Sequence, residues 1–165
     1  MAEPEAETGE QEGGWLAPHH EQCLGCGPGN PAGFRLRARR VGDRIVGEAT
    51  VQAAHAGAPG CAHGGAVATL LDDAFGFVAM LGGEPAVTAR LEVDYRAPVL
   101  VGTPLTIEAW DESPPGERKR RLRGVLRDAE GRTLAEARGL FVVVDPSHFH
   151  DEAGGMPEHW RRVPW

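Results

Sequence analysis

The sequence predicts an α+β domain in which one antiparallel sheet wraps around one long helix. Three observations lead there. Residues 60–80, GCAHGGAVATLLDDAFGFVAM, are the most apolar stretch of the 165-residue chain, and their apolar positions run round most of a helical cylinder, the mark of a helix buried on nearly every side. The segments around this stretch alternate apolar and polar residues, or carry strand formers between turn signals. Two adjacent acids, Asp72 and Asp73, sit in the middle of the apolar stretch, where a carboxylate is costly unless it is paired or hydrogen-bonded.

Taken in order, residues 1–20 are acidic and Gly-rich, with too little apolar surface to fold, so disorder is expected there. The domain is expected over residues 21–146. A loop-like tail follows over 147–165, with Trp160 and Trp165 as surface anchors. Within the domain, Phe34 to Arg40 and Arg44 to Val51 flank VGD and read as a hairpin. The helix runs from Gly64 to about Leu81, with Val67, Leu70, Leu71, Ala74, Phe75, Phe77 and Val78 among its apolar positions. Val87 to Arg96 alternates, with Val87, Ala89, Leu91, Val93 and Tyr95 on one face and Thr88, Arg90, Glu92, Asp94 and Arg96 on the other. Leu105 to Trp110 is a strand opened by Pro104. Arg120 to Arg127 and Arg132 to Val144 form a second hairpin across DAEG, giving five or six strands in all.

Composition excludes several classes. A formal net charge of -7 gives no support for nucleic-acid binding, and no apolar run comes near the roughly 18 residues that span a bilayer. The opening residues have neither the basic nor the apolar part of a signal segment, and three cysteines are too few for a disulfide scaffold, so a cytoplasmic setting is the expectation.

The helix also carries the chemistry. Asp72 and Asp73 differ by about 100° of rotation, so at least one is buried or at an interface, as a structural acid or a reactive one. HGG at the helix start places glycines where first-turn N–H groups lack intrahelical partners, which suits an anion or a developing oxyanion. A tight turn into the helix explains the same glycines. Asp72 lies about 12 Å along the axis from Gly64, so one carbonyl cannot touch both within a single chain. If the two serve one reaction, they come from two chains with antiparallel helices across a twofold axis.

HGGAVATLLDDAFGFVAM followed by VTARLEVDYRAPVLVGTPL resembles the hotdog-fold acyl-CoA thioesterases of the PaaI-like and thioesterase-superfamily-4-like branch, over about Cys23 to Val144. The resemblance implies a hotdog fold, an acyl-CoA substrate, a homo-oligomer (a dimer or a dimer of dimers) and no cofactor. It puts the catalytic acid on Asp72, nine residues after His63, and leaves Asp73 as a supporting acid. The oxyanion donor falls on the Gly65 N–H, with Gly64 and His63 shaping the turn and in reach of the thioester oxygen, and the hydroxyl that orients water falls on Thr88. Relatives often carry Asn or Gln before HGG; this chain reads HAGAPGCAHGG, which leaves His55 as the candidate for that contact. Pocket depth would depend on Phe75, Phe77 and Met80.

Two features compete with this reading. In CLGCGPGNPAGF, Cys23 and Cys26 have a zinc-like spacing that Cys61 and His63 would complete, whereas Gly27, Pro28, Gly29 and Pro31 block the helix of a thioredoxin-type pair. The resemblance implies instead a reduced, metal-free loop near the active site. The basic run Arg118, Lys119, Arg120, Arg121 and Arg123 puts Arg121, Arg123 and Arg127 on one strand face. Those arginines suit the phosphates of coenzyme A, or protect a solvated edge strand. A non-catalytic acyl-CoA or small-hydrophobe binder and a zinc-stabilised interaction module are the alternatives to an enzyme.

Overall fold

The computed structural model describes residues 14–149; the first part of the acidic N-terminus and the expected anchors Trp160 and Trp165 lie outside them. Along the chain come β1 (Arg37–Val41), β2 (Arg44–Thr50), β3 (Ala56–Ala58), β4 (Cys61–Ala62), α1 (Gly64–Leu81), β5 (Ala86–Tyr95), β6 (Pro104–Asp111), β7 (Lys119–Arg127) and β8 (Thr133–Val143), with short 3-10 turns at Ala53–His55 and Pro146–His148. Six strands form one antiparallel sheet in the order β1-β2-β6-β7-β8-β5, and β3 pairs with β4 in a small ribbon. Both expected hairpins are present. Gly42, at φ 62, takes the left-handed position of the first turn. In the second, the Asp128 carboxylate accepts from the Arg132 N–H at 2.8 Å.

The helix is enclosed as its sequence requires. Leu70, Leu71, Ala74, Phe75 and Phe77 have at most 1% of their surface exposed, and burying each large side chain contributes about 1.5–3 kcal/mol. The sheet is hollowed to receive them: a Cβ on Gly124 or Gly139 would stand 2.9 or 2.8 Å from the Phe75 ring. At 18 residues and a mean hydropathy of 1.4, α1 is long and apolar enough to cross a bilayer by length and composition, a length the sequence reading did not credit. The sheet occupies the face that lipid would need, and two acids interrupt the helix at mid-length.

Three expectations are corrected. Residues 14–20 were assigned by composition to the disordered N-terminus, yet they are packed: Leu16 N–H donates to the Ala38 carbonyl at 2.8 Å, Trp15 bridges to Arg39, and His19 is buried. Trp15 supplies the missing apolar surface, with the Arg37 guanidinium 3.9 Å from its ring centroid. Second, β7 is not an edge strand but lies between β6 and β8, so Arg121, Arg123 and Arg127 stand on the outer sheet face, opposite Leu122, Gly124 and Leu126 on the helix side. Third, β5 does not alternate throughout. Thr88 pairs with Phe141 and Arg90 with Leu140, leaving Ala89 as a bulge residue. The extra residue flips the phase, so Thr88 shares the helix-facing side with Leu91, Val93 and Tyr95.

Candidate active site

The start of α1 is fixed from several directions. His63 is its N-cap, and its Nδ1 accepts the Gly65 N–H at 2.9 Å. Upstream, the His63 N–H donates to the His55 carbonyl at 2.8 Å. From β5, the Tyr95 hydroxyl donates to the Gly64 carbonyl at 2.8 Å. The expected oxyanion donor is therefore occupied within the chain by an imidazole, a neutral acceptor that a more strongly charged oxyanion can displace. His55 is engaged within the chain: Nε2 lies 2.9 Å from the Ala32 carbonyl, Nδ1 accepts the Gln52 N–H, and the ring stacks on Phe34. It is a positioning residue for the loop that delivers His63.

Seven residues along the helix, Asp72 faces a cavity of about 280 Å³ lined among others by His19, Thr88, Met80, Phe141 and Phe149. The bulge in β5 brings Thr88 onto the helix, where its hydroxyl donates to Asp72 Oδ1 at 2.9 Å. Burial pushes the Asp72 carboxyl above the usual aspartate range, while the Thr88 hydrogen bond and the nearby His19 pull it back. The result is a carboxylate whose orientation is set and whose basicity is raised, a suitable base for water. Of the residues expected to set pocket depth, Phe75 and Phe77 are buried in the core and Met80 alone lines this cavity. Phe75 fills the hollow over Gly124 and Gly139, and Phe77 packs on the His19 ring at 4.1 Å.

Asp73 also borders this cavity, but its carboxylate is engaged by the N-terminal loop. Its Oδ1 lies 3.0 Å from His19 Nδ1 and accepts from Cys23 Sγ at 3.2 Å, with the side chain 8% exposed. Cys26 Sγ accepts the His19 backbone N–H at 3.2 Å and lies 3.3 Å from the same Nδ1. Burial alone would hold the imidazole neutral, but its bonds to Asp73 and Cys23 prevail and raise His19 to about 9. At Asp73 burial outweighs the same pairing, and Cys23 adds a negative neighbour, so its carboxyl is raised too. The neighbouring Cys26 pulls the Cys23 thiol down, and Cys23 together with burial pushes the Cys26 thiol up.

Other expected residues are not brought together. Cys61 lies on β4 and His63 is committed to its N-cap, so the ligand set Cys23, Cys26, Cys61 and His63 does not form. Arg121 and Arg123 line a separate outer-face groove with Arg90 and Arg138, and Arg123 is held by Glu112 at 3.1 Å. They do not line the Asp72 cavity.

Comparison with known proteins identifies the frame around these residues. Residues 59–111 match the family model of the thioesterase superfamily. Acyl-coenzyme A thioesterase THEM4 of Bos taurus is 36% identical over 91 residues, 54% of this chain and 37% of the bovine protein. A solved thioesterase superfamily protein is 32% identical, with a TM-score of 0.69 over 74% of this chain and 60% of its own. Over these segments the chain is similar to proteins of the thioesterase superfamily. Its hotdog fold is shared with the E. coli PaaI protein of the phenylacetic acid degradation operon (22% identity, TM-score 0.63, 68% of this chain and 81% of that one). It is shared also with a hypothetical thioesterase protein from Streptococcus pneumoniae solved with coenzyme A (24% identity, TM-score 0.62, 66% and 85%). The chain spans well under half the length of the curated relatives it matches.

The segment matched to the thioesterase superfamily holds β4, α1, β5 and β6, and with them His63, Gly64, Gly65, Asp72, Thr88 and Tyr95. His19, Cys23 and Cys26 lie outside it. Sequence reasoning missed His19 and the role of Tyr95. The available signals were Gly76, whose absent side chain leaves room for the His19 ring 2.8 Å from where a Cβ would stand, and a tyrosine on the strand after a Gly-Gly helix start.

Proposed function

We propose that this protein hydrolyses acyl-CoA thioesters in a site assembled from two copies of the chain. The observation that carries the reading is the Asp72–Thr88 pair beside a cavity, within the segment matched to the superfamily. The names of the curated relatives and the coenzyme A held by a solved relative support the substrate class. Asp72 takes a proton from water as the water oxygen attacks the thioester carbon. The Gly65 N–H of the other copy stabilises the oxyanion; the carbon–sulfur bond then breaks, and the coenzyme A thiolate leaves and is protonated. Two copies are needed because Gly65 and Asp72 stand about 10 Å apart along one helix, and because none of His63, Gly64 and Gly65 lines the Asp72 cavity. The free edge of β5 is the surface proposed for joining two sheets, and the Arg121–Arg123 face is proposed as a phosphate contact for coenzyme A.

Thiol release from short, medium, long and aromatic acyl-CoAs tests the activity. Turnover of at least one class is expected; tight binding without turnover would make the protein a carrier. Subunit exchange tests the shared site. An Asp72→Asn chain mixed with a Gly65→Pro chain, where proline in the first helical turn removes the donor, gives a heterodimer with one site carrying both lesions and one carrying neither. Recovery to about a quarter of wild-type activity is expected of an equimolar exchanged mixture, and to about half for the isolated heterodimer. Confirmed exchange with no recovery, both chains being folded, overturns the two-chain site.

A further inference from the structure

We propose that His19, Cys23, Cys26 and Asp73 are the four ligands of a structural zinc site that fastens the N-terminal loop to the middle of α1. One atom from each, Nδ1, two Sγ and a carboxylate oxygen, lies within 4.8 Å of all the others. The nearest pairs are 3.0, 3.2 and 3.3 Å apart. A tetrahedron with metal–ligand bonds of about 2.0–2.3 Å has edges of roughly 3.3–3.8 Å, so contraction of the widest pairs and slight expansion of the closest ones seats the ion. The donor set, two thiolates, one imidazole and one carboxylate, is that of a borderline-soft divalent cation and leaves no position for water, which makes the site structural.

The surroundings fit the same role. The Asp73 side chain is 8% exposed, and its Oδ2 is buried without a hydrogen-bond partner. The backbone N–H of His19 already donates to Cys26 Sγ at 3.2 Å, and the Gly27 N–H to the Cys23 carbonyl at 2.9 Å, so the loop is folded around its sulfurs as an outer shell would require. Gly25 has no side chain where a Cβ would stand 2.1 Å from Asp73 Cγ. The loop can therefore close over the carboxylate.

The proposal is independent of the thioesterase reading, and its test does not use activity. Protein prepared without chelator should carry about one zinc per chain, the content of a closed four-ligand site. Cobalt substitution should give intense tetrahedral visible bands with sulfur-to-cobalt charge transfer in the near ultraviolet. Cys23→Ser with Cys26→Ser should lose both signals, and Cys61→Ser should keep them. The cobalt spectrum of the wild type decides the matter even if the double variant does not fold. Reduced wild-type protein that takes up neither zinc nor cobalt overturns the proposal. So does a weak octahedral cobalt spectrum, or a Cys23–Cys26 disulfide that persists in protein made in a reducing cytosol.

Discussion

Asp72 and Asp73 are consecutive on one helix and serve two different regions. Asp72 faces the cavity, held at one oxygen by a hydroxyl from a strand bulge. Asp73 faces the N-terminal loop, where an imidazole and a thiol meet its Oδ1. Both carboxyls are raised by burial. The difference lies in what surrounds them: a partner that orients and leaves space on one side, and a closed set of partners on the other. Both acids border the same cavity, but about 100° of rotation between neighbours turns Asp73 to the loop's imidazole and thiol, while Asp72 meets only a strand hydroxyl.

Replacing each acid sharpens that contrast. Asp73→Ala removes one partner of a buried pair and should cost about 3–5 kcal/mol in urea unfolding, because the buried His19 imidazole and Cys23 thiol lose the carboxylate they share. A loss under about 1 kcal/mol, the range of an exposed pair, would show that the loop does not depend on this carboxylate. Asp72→Asn should lower kcat on the best acyl-CoA by at least about a hundredfold, the low end for losing a positioned base, with little change in unfolding. Equal activity of variant and wild type would remove Asp72 from the reaction. Thr88→Val should lower kcat by about ten- to a hundredfold, the range of roughly 1.5–3 kcal/mol for a hydrogen bond to a charged group. Thr88→Ser should restore most of it, and a Val variant as active as wild type would make the hydroxyl a bystander.

The helix, its buried faces and the shared hairpins were legible because periodicity reports which side of an element is buried. Asp72 and Thr88 were legible through the resemblance, whereas the alternation of β5 put Thr88 on the wrong face. A bulge at Ala89 inserts one residue and inverts the phase, and composition carries no sign of it. The cysteines pointed to a cluster but not to its members. His19 lies in a segment whose acidic and glycine content hides its burial, and Asp73 reaches the sulfurs from 47 positions beyond Cys26. Such a set is created by packing alone. The β7 arginines were misplaced for a related reason: strand order is a property of pairing partners, which no single strand's sequence contains.

The two borders of the large sheet are unequal. At β1 the chain lies across its own border through Leu16 and Trp15, while β5 hydrogen-bonds to β8 alone among the described strands. A ribbon with two bare borders can add copies without limit, growing into a filament. With the β1 border covered by its own N-terminal segment, the described part of the large sheet has one open border, so the proposed joining of β5 to β5 would close at a pair. On that proposal Trp15 and Leu16 are a terminator, and a chain trimmed of them would gain the second valence that open-ended polymerisation requires.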